Sequence, residues 1–408
     1  MRLPVLSIIF LFIFSILVDL YISWDIKGMW KKKGVRIYGT TCLLCYALLI
    51  VAISLPRRDA ESSISAIMWL LFTFLTIYAA KFIYLICSLI GRFLRGFSNV
   101  RRKVYPARLC GLFLGLALMA IMWIGVGYTR HQIMVTHEDF YSKKLPESFE
   151  GYKIVQLSDL HVGTWGNDST FLSTLVDSVN SINPDLIVFT GDIVNRESTE
   201  LLPFKGVLSR LQAKDGVYSI LGNHDYGDYV DWPRPGDKEK NLTELKNMQK
   251  EMGWRMLNNE SVFISNGVDS ILLIGVENWG EPPFPKYGNL EQALPSDETA
   301  SVHQNDGTYK LLLSHNPEHW NQEVSKNTNI DLTLSGHTHA MQAMIKIGDW
   351  KWSPSKYRYE QWGGRYNRKN LNEEDTEIYV NIGAGSVGMP ARLISAYPEI
   401  TLITLKKK

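Results

Sequence analysis

The stretch ILGNHDYG, Ile220–Gly227, sets Asn223, His224 and Asp225 in a row, directly after an apolar run and between two glycines. Polar residues bounded by glycine at the end of such a run mark a buried strand that turns sharply at its carboxyl end. The same pattern recurs four times. SDLH (158–161) follows IVQL, GDIVN (191–195) follows LIVFT, SHNP (314–317) follows KLLL, and SGHTH (335–339) follows IDLTL. Between the strands, STFLSTLVDSVNSI and NLTELKNMQKEMG carry apolar residues at helical spacing, the second with Gly253 placed as a C-cap. This alternation predicts an α/β layered domain, and the strand density toward the C-terminus predicts more than one sheet. Ligands of such sheets bind outside the carboxyl ends of the strands. Five strand ends are therefore expected to deliver Asp159, His161, Asp192, Asn223, His224, His315, His337 and His339 to one edge.

Asp, His and Asn without thiols suit divalent ions such as Mn, Fe, Zn or Co. These candidates outnumber the four or so protein ligands one ion takes. Two ions sharing a bridging carboxylate would use them all, and such a pair, roughly 3.5–4 Å apart, clamps an in-line displacement at phosphorus and lowers the pKa of a bridging water. An isolated DxH, GNHD or HxH is weak, since each also arises as a turn or cap. Their joint occurrence in this order, each behind an apolar strand, is specific. The chain has neither a GxSxG nucleophile elbow nor a GxxxxGK[ST] phosphate loop.

The order DLH, GD, GNHD, HNP, GHTH resembles the calcineurin-like metallophosphoesterase superfamily, over about Tyr152 to Leu405. The resemblance implies a two-sheet β-sandwich flanked by helices, with a two-metal site at the strand ends. It implies Asp159, His161 and His339 on one ion, Asp192 as the bridge, and Asn223, His315 and His337 on the second. His224 would protonate the leaving group or stabilise the transition state, with Asp225 orienting it. YVNIGAGSVGMPARL, followed by YPEITLITL, is similar to the ending of a bacterial membrane-associated branch that includes UDP-diacylglucosamine hydrolases. Two departures stand out. Ala340 and Met341 occupy places where that branch usually has two glycines, and VENWG (276–280) lacks its usual acidic residue at Asn278 or Trp279. Trp279 is then a candidate pocket residue, with a packed loop aromatic as the plain alternative. Arg392 is a candidate phosphate ligand, or a structural ion pair. The stretch KYRYEQWGGRYNRK, Lys356–Lys369, mixes basic and aromatic residues as interfacial segments do, an ordinary hairpin being the default.

Residues before about 128 read differently. Apolar stretches near Leu3–Ile22, Ile37–Leu55, Ile64–Ile90 and Leu109–Tyr128 each approach the roughly 20 residues that cross hydrocarbon as a helix, the third being long enough to tilt. A cleaved signal peptide would account for the first alone. The expected domains are a four-helix transmembrane anchor (1–128), a linker (129–150) and a metallophosphoesterase domain (151–408), with a surface loop and short helix over Gly280–Gly307. Lys27, Lys31, Lys32, Lys33 and Arg36 follow the first span, and Arg92, Arg95, Arg101, Arg102 and Lys103 the third. Only Arg57 and Arg58, beside Asp59 and Glu61, follow the second. The positive-inside rule puts the first and third loops in the cytoplasm and the large C-terminal domain outside it. Asp19 and Lys81 fall within spans, where charges pair or serve a function. Cys42, Cys45, Cys87 and Cys110 all lie in this apolar part, so the CxxC at 42–45 reads as small hydrophobes in a membrane helix.

With a net charge of +2 over 408 residues, the strong basic excess of a nucleic-acid protein is missing. The expected function is a phosphoesterase in the cytoplasmic (inner) membrane that uses two divalent ions on a phosphorylated, lipid-linked or envelope substrate, phosphoester or diphosphate. The alternatives are a catalytically silent sensor or scaffold on the same fold, and a nucleotide phosphodiesterase.

Overall fold

The computed structural model describes residues 5–27, 31–55, 61–96, 105–282, 284–294, 307–370 and 373–408. Arg57, Arg58, Asp59, Arg101, Arg102 and Lys103 of the orientation argument lie outside the described residues, as does 295–306 of the 280–307 loop. The chain divides into two compact units, an N-terminal helical one and one that begins at Gly127.

The first unit holds α1 (Val5–Ile26), α2 (Lys32–Ser54), α3 (Glu61–Gly96) and α4 (Tyr105–Gly127). All four are long and apolar enough to cross a membrane. The apolar window of α3, Ser65–Arg95, has 31 residues. At 1.5 Å per residue it is about 46 Å long, a length a bilayer accommodates by tilt. Two buried carboxylates tie the helices together. Asp19 accepts hydrogen bonds from the hydroxyls of Tyr38 (2.7 Å), Tyr46 (2.6 Å) and Tyr78 (2.6 Å) and pairs with Lys81 at 2.8 Å. Asp25 pairs with Arg92 and Arg108 and accepts from Tyr84 and Ser88. Cys42 and Cys45 are free thiols buried in this bundle.

The second unit is a sandwich. Its first sheet runs β1-β15-β2-β3-β4-β5, from β1 (Met134–Ser142), β2 (Lys153–Leu157), β3 (Leu186–Phe189), β4 (Val217–Ser219), β5 (Trp254–Met256) and β15 (Glu399–Lys407). The second runs β12-β13-β9-β8-β7-β6, from β6 (Glu260–Ser265), β7 (Ser270–Gly275), β8 (Lys310–Leu313), β9 (Leu332–Ser335), β12 (Gly364–Lys369) and β13 (Asp375–Val380). A small third sheet joins β10 (Ala343–Ile347), β11 (Trp350–Trp352) and β14 (Leu393–Ile394). Ile154, Val188 and Ile220 of the first sheet and its loops pack against Leu273, Leu311 and Leu334 of the second, forming the inner core. The outer face of the first sheet is covered by α5 (Thr170–Ser181), through Leu172, Leu175 and Val179, and by the helix Asp237–Glu251, through Leu245 and Met248. Trp320 and Val324 cover the outer face of the second. The expected two-sheet architecture with flanking helices is what forms. Gly253, at φ +84°, ends the helix as its sequence position predicts.

One boundary is corrected. Residues 129–150 are no linker, because they supply β1, which runs parallel to β15 from Met134↔Glu399 to Ser142↔Lys407. Strand pairing at that sequence separation leaves no local signal beyond a weak alternation.

Candidate metal centre

β2, β3 and β4 are parallel neighbours in the first sheet, as are β8 and β9 in the second. Their carboxyl ends converge on one place. Asp159 and His161 follow β2, Asp192 follows β3, Asn223 and His224 follow β4, His315 follows β8, and His337 and His339 follow β9. The turns are tight. Asp159, His161, Asp192, His337 and His339 all have positive φ, between +43° and +75°. That conformation costs a non-glycine residue about 1–2 kcal/mol, and it collects where function needs side chains aimed inward. Gly222 and Gly336 are required by close approach: a Cβ on Gly222 would collide with the Asp192 carboxylate, and one on Gly336 with that of Asp159.

Two clusters result. In one, His339 Nε2 lies 3.0 Å from Asp159 Oδ1 and 3.1 Å from His161 Nε2. In the other, His315 Nε2 lies 3.2 Å from both Asp192 Oδ2 and Asn223 Oδ1, and His337 joins Asp192 and His315. Asp192 Oδ2 is also 3.6 Å from His161 Nε2, so a single oxygen stands between the clusters. Ligand atoms about 3.0–3.4 Å apart are what neighbouring positions around an ion with bonds of about 2.0–2.1 Å require.

The chain's own hydrogen bonds aim these groups. His315 Nδ1 donates to the Thr190 carbonyl at 2.7 Å, leaving Nε2 to the cluster. Asn223 donates its amide to Tyr229 Oη at 2.9 Å, which turns its oxygen inward. The His337 N–H donates to the Asp159 carboxylate, and the His224 N–H to Asp192 Oδ1 at 2.8 Å.

The charges also fit a cation. Burial holds His161 well below the usual histidine range, with His224 and His339 adding to it; burial and His315 push His337 down to about 3. Both are therefore neutral imidazoles, the form that binds metal. Burial would raise Asp192, yet His315 and His224 hold it well below the carboxylate range. Burial likewise opposes protonation of His315, but the Asp192 charge carries it up to about 9. The buried Asp192 charge thus favours a positive partner at His315.

Every predicted metal ligand thus arrives at the site, and three other expectations are corrected. Asp225 does not orient His224. Its carboxylate accepts the N–H groups of Asp192, Ile193, Val194 and Gly222, and so fixes the loop that carries Asp192. His224 Nδ1 is held instead at 2.7 Å by the Asn195 carbonyl. Arg392 is fully buried and spends its guanidinium on the carbonyls of Ile382, Gly385, Ala396 and Tyr397, so it clamps backbone and is not offered to a phosphate. Trp279 is a packed aromatic, stacked on His319 and bonded through Nε1 to Glu323 at 3.1 Å. The basic-aromatic stretch 356–369 is likewise mostly an ordinary strand and its approach: Arg365 pairs with Glu377, Arg368 with Glu360, and Trp362 is buried. Sequence reasoning missed Tyr229 and Tyr359. The Tyr229 ring lies 4.4 Å from that of His224, and Tyr359 Oη lies 2.9 Å from His337 Nε2. Only the polar run GNHDYGDY hinted at the first.

Residues 152–341 match the family model "Calcineurin-like phosphoesterase", and residues 1–129 match "Probable Calcineurin-like phosphoesterase, transmembrane domain". The chain is 30% identical over 308 residues to the "Uncharacterized metallophosphoesterase YkuE" of Bacillus subtilis, covering 72% of this chain and 95% of that one. The chain belongs to the calcineurin-like metallophosphoesterase family. Another member, the zebrafish (Danio rerio) "Transmembrane protein with metallophosphoesterase domain", is 28% identical over 80% of this chain and 70% of its own length. The "NAD nucleotidase (NadN)" of Haemophilus influenzae has a solved structure that matches at 15% identity with a TM-score of 0.38, over 57% of this chain and 51% of that one. As a metallophosphoesterase, the chain carries its family's hydrolase fold and candidate metal-ligand clusters, together with a membrane domain.

Proposed function

We propose that this membrane metallophosphoesterase is a dinuclear hydrolase of phosphoester or diphosphate bonds on lipid-linked or envelope substrates. The observation that carries the reading is the position of Asp192 Oδ2, 3.2 Å from His315 Nε2 and 3.6 Å from His161 Nε2, between the two candidate clusters. Asp159, His161 and His339 would hold one divalent ion, Asn223, His315 and His337 the second, and Asp192 both. Ions of the Mn, Fe, Zn or Co class would supply Lewis acidity and neutralise charge on the phosphoryl oxygens.

The chain's own residues do the rest. His224, whose Nδ1–H donates to the Asn195 carbonyl, keeps Nε2 free to take up a proton and pass it to the leaving oxygen. Asp225 acts one step back, by fixing the Asp192 loop. Lys27, Lys31, Lys32, Lys33, Arg36, Arg92 and Arg95 support cytoplasmic first and third loops, hence an extracytoplasmic catalytic unit in a cytoplasmic membrane. The similarity of the C-terminal segment to UDP-diacylglucosamine hydrolases supports including lipid-linked diphosphates among the substrates. The convergence of every expected ligand tells against a silent scaffold.

The test is metal analysis and turnover on the full-length protein in detergent, against phosphodiesters, monoesters and lipid-linked phosphates. Two ions per chain and measurable hydrolysis are expected. Asp192→Asn should lower turnover by more than the roughly 10–100-fold that loss of a merely supporting residue costs. Unchanged turnover in that variant would overturn the ligand assignment.

A further inference from the structure

The β10–β11 hairpin is built inside out. Its register opposes Ile345 to Trp352, Lys346 to Lys351 and Ile347 to Trp350. Opposed residues share a face, and alternate residues of one strand share it too. Ile345, Ile347, Trp350 and Trp352 therefore form one face, and Lys346 and Lys351 the other. The side of Met344 and Lys351 is the one turned inward, while Lys346, nearer the tip, stays exposed. Lys351 Nζ donates to the Gly363 carbonyl and lies over the Trp362 and Tyr366 rings. Met344, on the same side as Lys346, is buried with Ala340, Trp362 and Ile382. The apolar face looks out at its tip, with Ile347 71% and Trp350 56% exposed and Ile345 and Trp352 half-buried. A hairpin made for water on its outer side does the reverse.

We propose that this outward face is a bilayer-contact surface that presents the metal centre to phosphoesters at lipid headgroups. The chain brings its own bilayer: α4 ends at Gly127 and β1 starts at Met134, so the catalytic unit is tied to the membrane by a few residues. The composition is that of the interface, where Trp and Ile meet the acyl boundary and lysines meet anionic headgroups. Exposed Lys346 lies near the tip on the opposite face, and exposed Lys356 and Tyr357 follow β11 within a few residues. Asp349 in the turn keeps the tip itself at headgroup depth. A second protein copy is a poorer occupant. Four side chains fall well short of the about 800 Å² per partner that a stable interface buries. The hairpin is rooted at the site, since β10 begins four residues after the candidate ligand His339. The substrate-class part of the inference rests on the phosphoesterase reading, whereas bilayer contact does not.

Two arms keep these apart. An environment-sensitive fluorescent amino acid is placed at position 347 of the full-length protein, in vesicles of phosphatidylcholine and phosphatidylglycerol. The control is position 268, in the β6–β7 turn, where Val268 is 81% exposed. Blue-shifted emission at 347, quenched by headgroup-level nitroxide lipids and absent at 268, is expected. Emission at 347 that reports water, or a blue shift without lipid quenching, overturns bilayer contact. In the second arm, the double variant Ile347→Asp and Trp350→Asp should lower kcat/KM at least tenfold on a vesicle-borne phosphoester and leave a soluble aryl phosphodiester untouched. Equal effects on both substrates, or none on either, overturn the substrate class. Wild type inactive on both would sink the phosphoesterase reading, and the fluorescence arm would still decide the contact.

Discussion

Asp19 in the membrane unit and Asp192 in the catalytic unit are both buried carboxylates, but their neighbours differ in kind. Asp19 is surrounded by donors that finish its hydrogen bonding, three tyrosine hydroxyls and the Lys81 ammonium. Nothing further is called for, and the cluster reads as a bolt between helices. Asp192 faces the imidazole nitrogens of His161 and His315, the latter aimed at it by the Thr190 carbonyl. The buried Asp192 charge calls for a positive partner there, a proton on His315 or a bound cation. A buried acid closed by donors is structural, whereas a buried acid closed by other ligands marks a binding site.

The comparison is most strongly tested from the membrane side. Asp19→Ala strands the Lys81 charge and three hydroxyls, and should destabilise the bundle by about 3–5 kcal/mol, read as a fall in melting temperature of the full chain in detergent. Pairing Asp19→Leu with Lys81→Met should restore most of that loss, since an apolar pair needs no partner. Turnover of a soluble ester by the protein that stays folded should not change; a loss there would mean that Asp19 belongs to the catalytic machinery after all.

Asp331 is the intermediate case and sharpens the contrast through pH. It accepts the Lys310 N–H at 2.9 Å, with Lys144 at 3.7 Å, and burial raises it to about 6 despite the nearby lysines. Below about pH 4 both folded and unfolded chains hold this proton. Between there and pH 6 only the unfolded chain releases it, so stability falls as pH rises, by on the order of 3 kcal/mol. Thermal unfolding of the catalytic unit should show this fall, and Asp331→Asn should flatten it. A variant with the wild-type slope would remove Asp331 as its source.

The smallest effect concerns backbone. Ala340 and Met341 have φ +49° and +47°, a conformation that favours glycine. Met341 is exposed, so Met341→Gly loses little packing and should stabilise the catalytic unit by about 0.5–1 kcal/mol, measured by denaturant unfolding. A destabilised variant would show that the Met341 side chain packs more usefully than its exposure suggests.

Much of this was legible in the sequence, and the failures share a cause. The strand ends declared themselves because a short apolar run followed by Gly and His or Asp is a local pattern, and the four spans because hydrophobic length is local too. Asp225 was misread because adjacency in GNHD says nothing about direction: in a turn, consecutive side chains point apart, and Asp225 turns back toward the N–H groups after β3. Arg392 misled in the same way. Its partners are backbone carbonyls on both sides of it in the chain, and backbone carbonyls leave no signature in a sequence. Tyr359, 22 residues from the ligand it touches, carries no motif at all. The inverted hairpin could be seen only once its register was known, because IKIGDWKW reads equally well with either face inward.

The strand order β1-β15-β2 has a consequence for how the protein is made. β1 and β2 leave the ribosome early, yet neither can pair with the other, because the place between them is reserved for residues 399–407. Until those residues emerge, β2 presents an open edge and β1 has no neighbour. The half-made domain must therefore wait beside the membrane, a natural client for chaperones and proteases. A premature stop at position 399 deletes an interior strand rather than a tail. Such products should be cleared in the cell instead of surviving as weak enzymes, so β15 acts as a late check on the assembly of the first sheet.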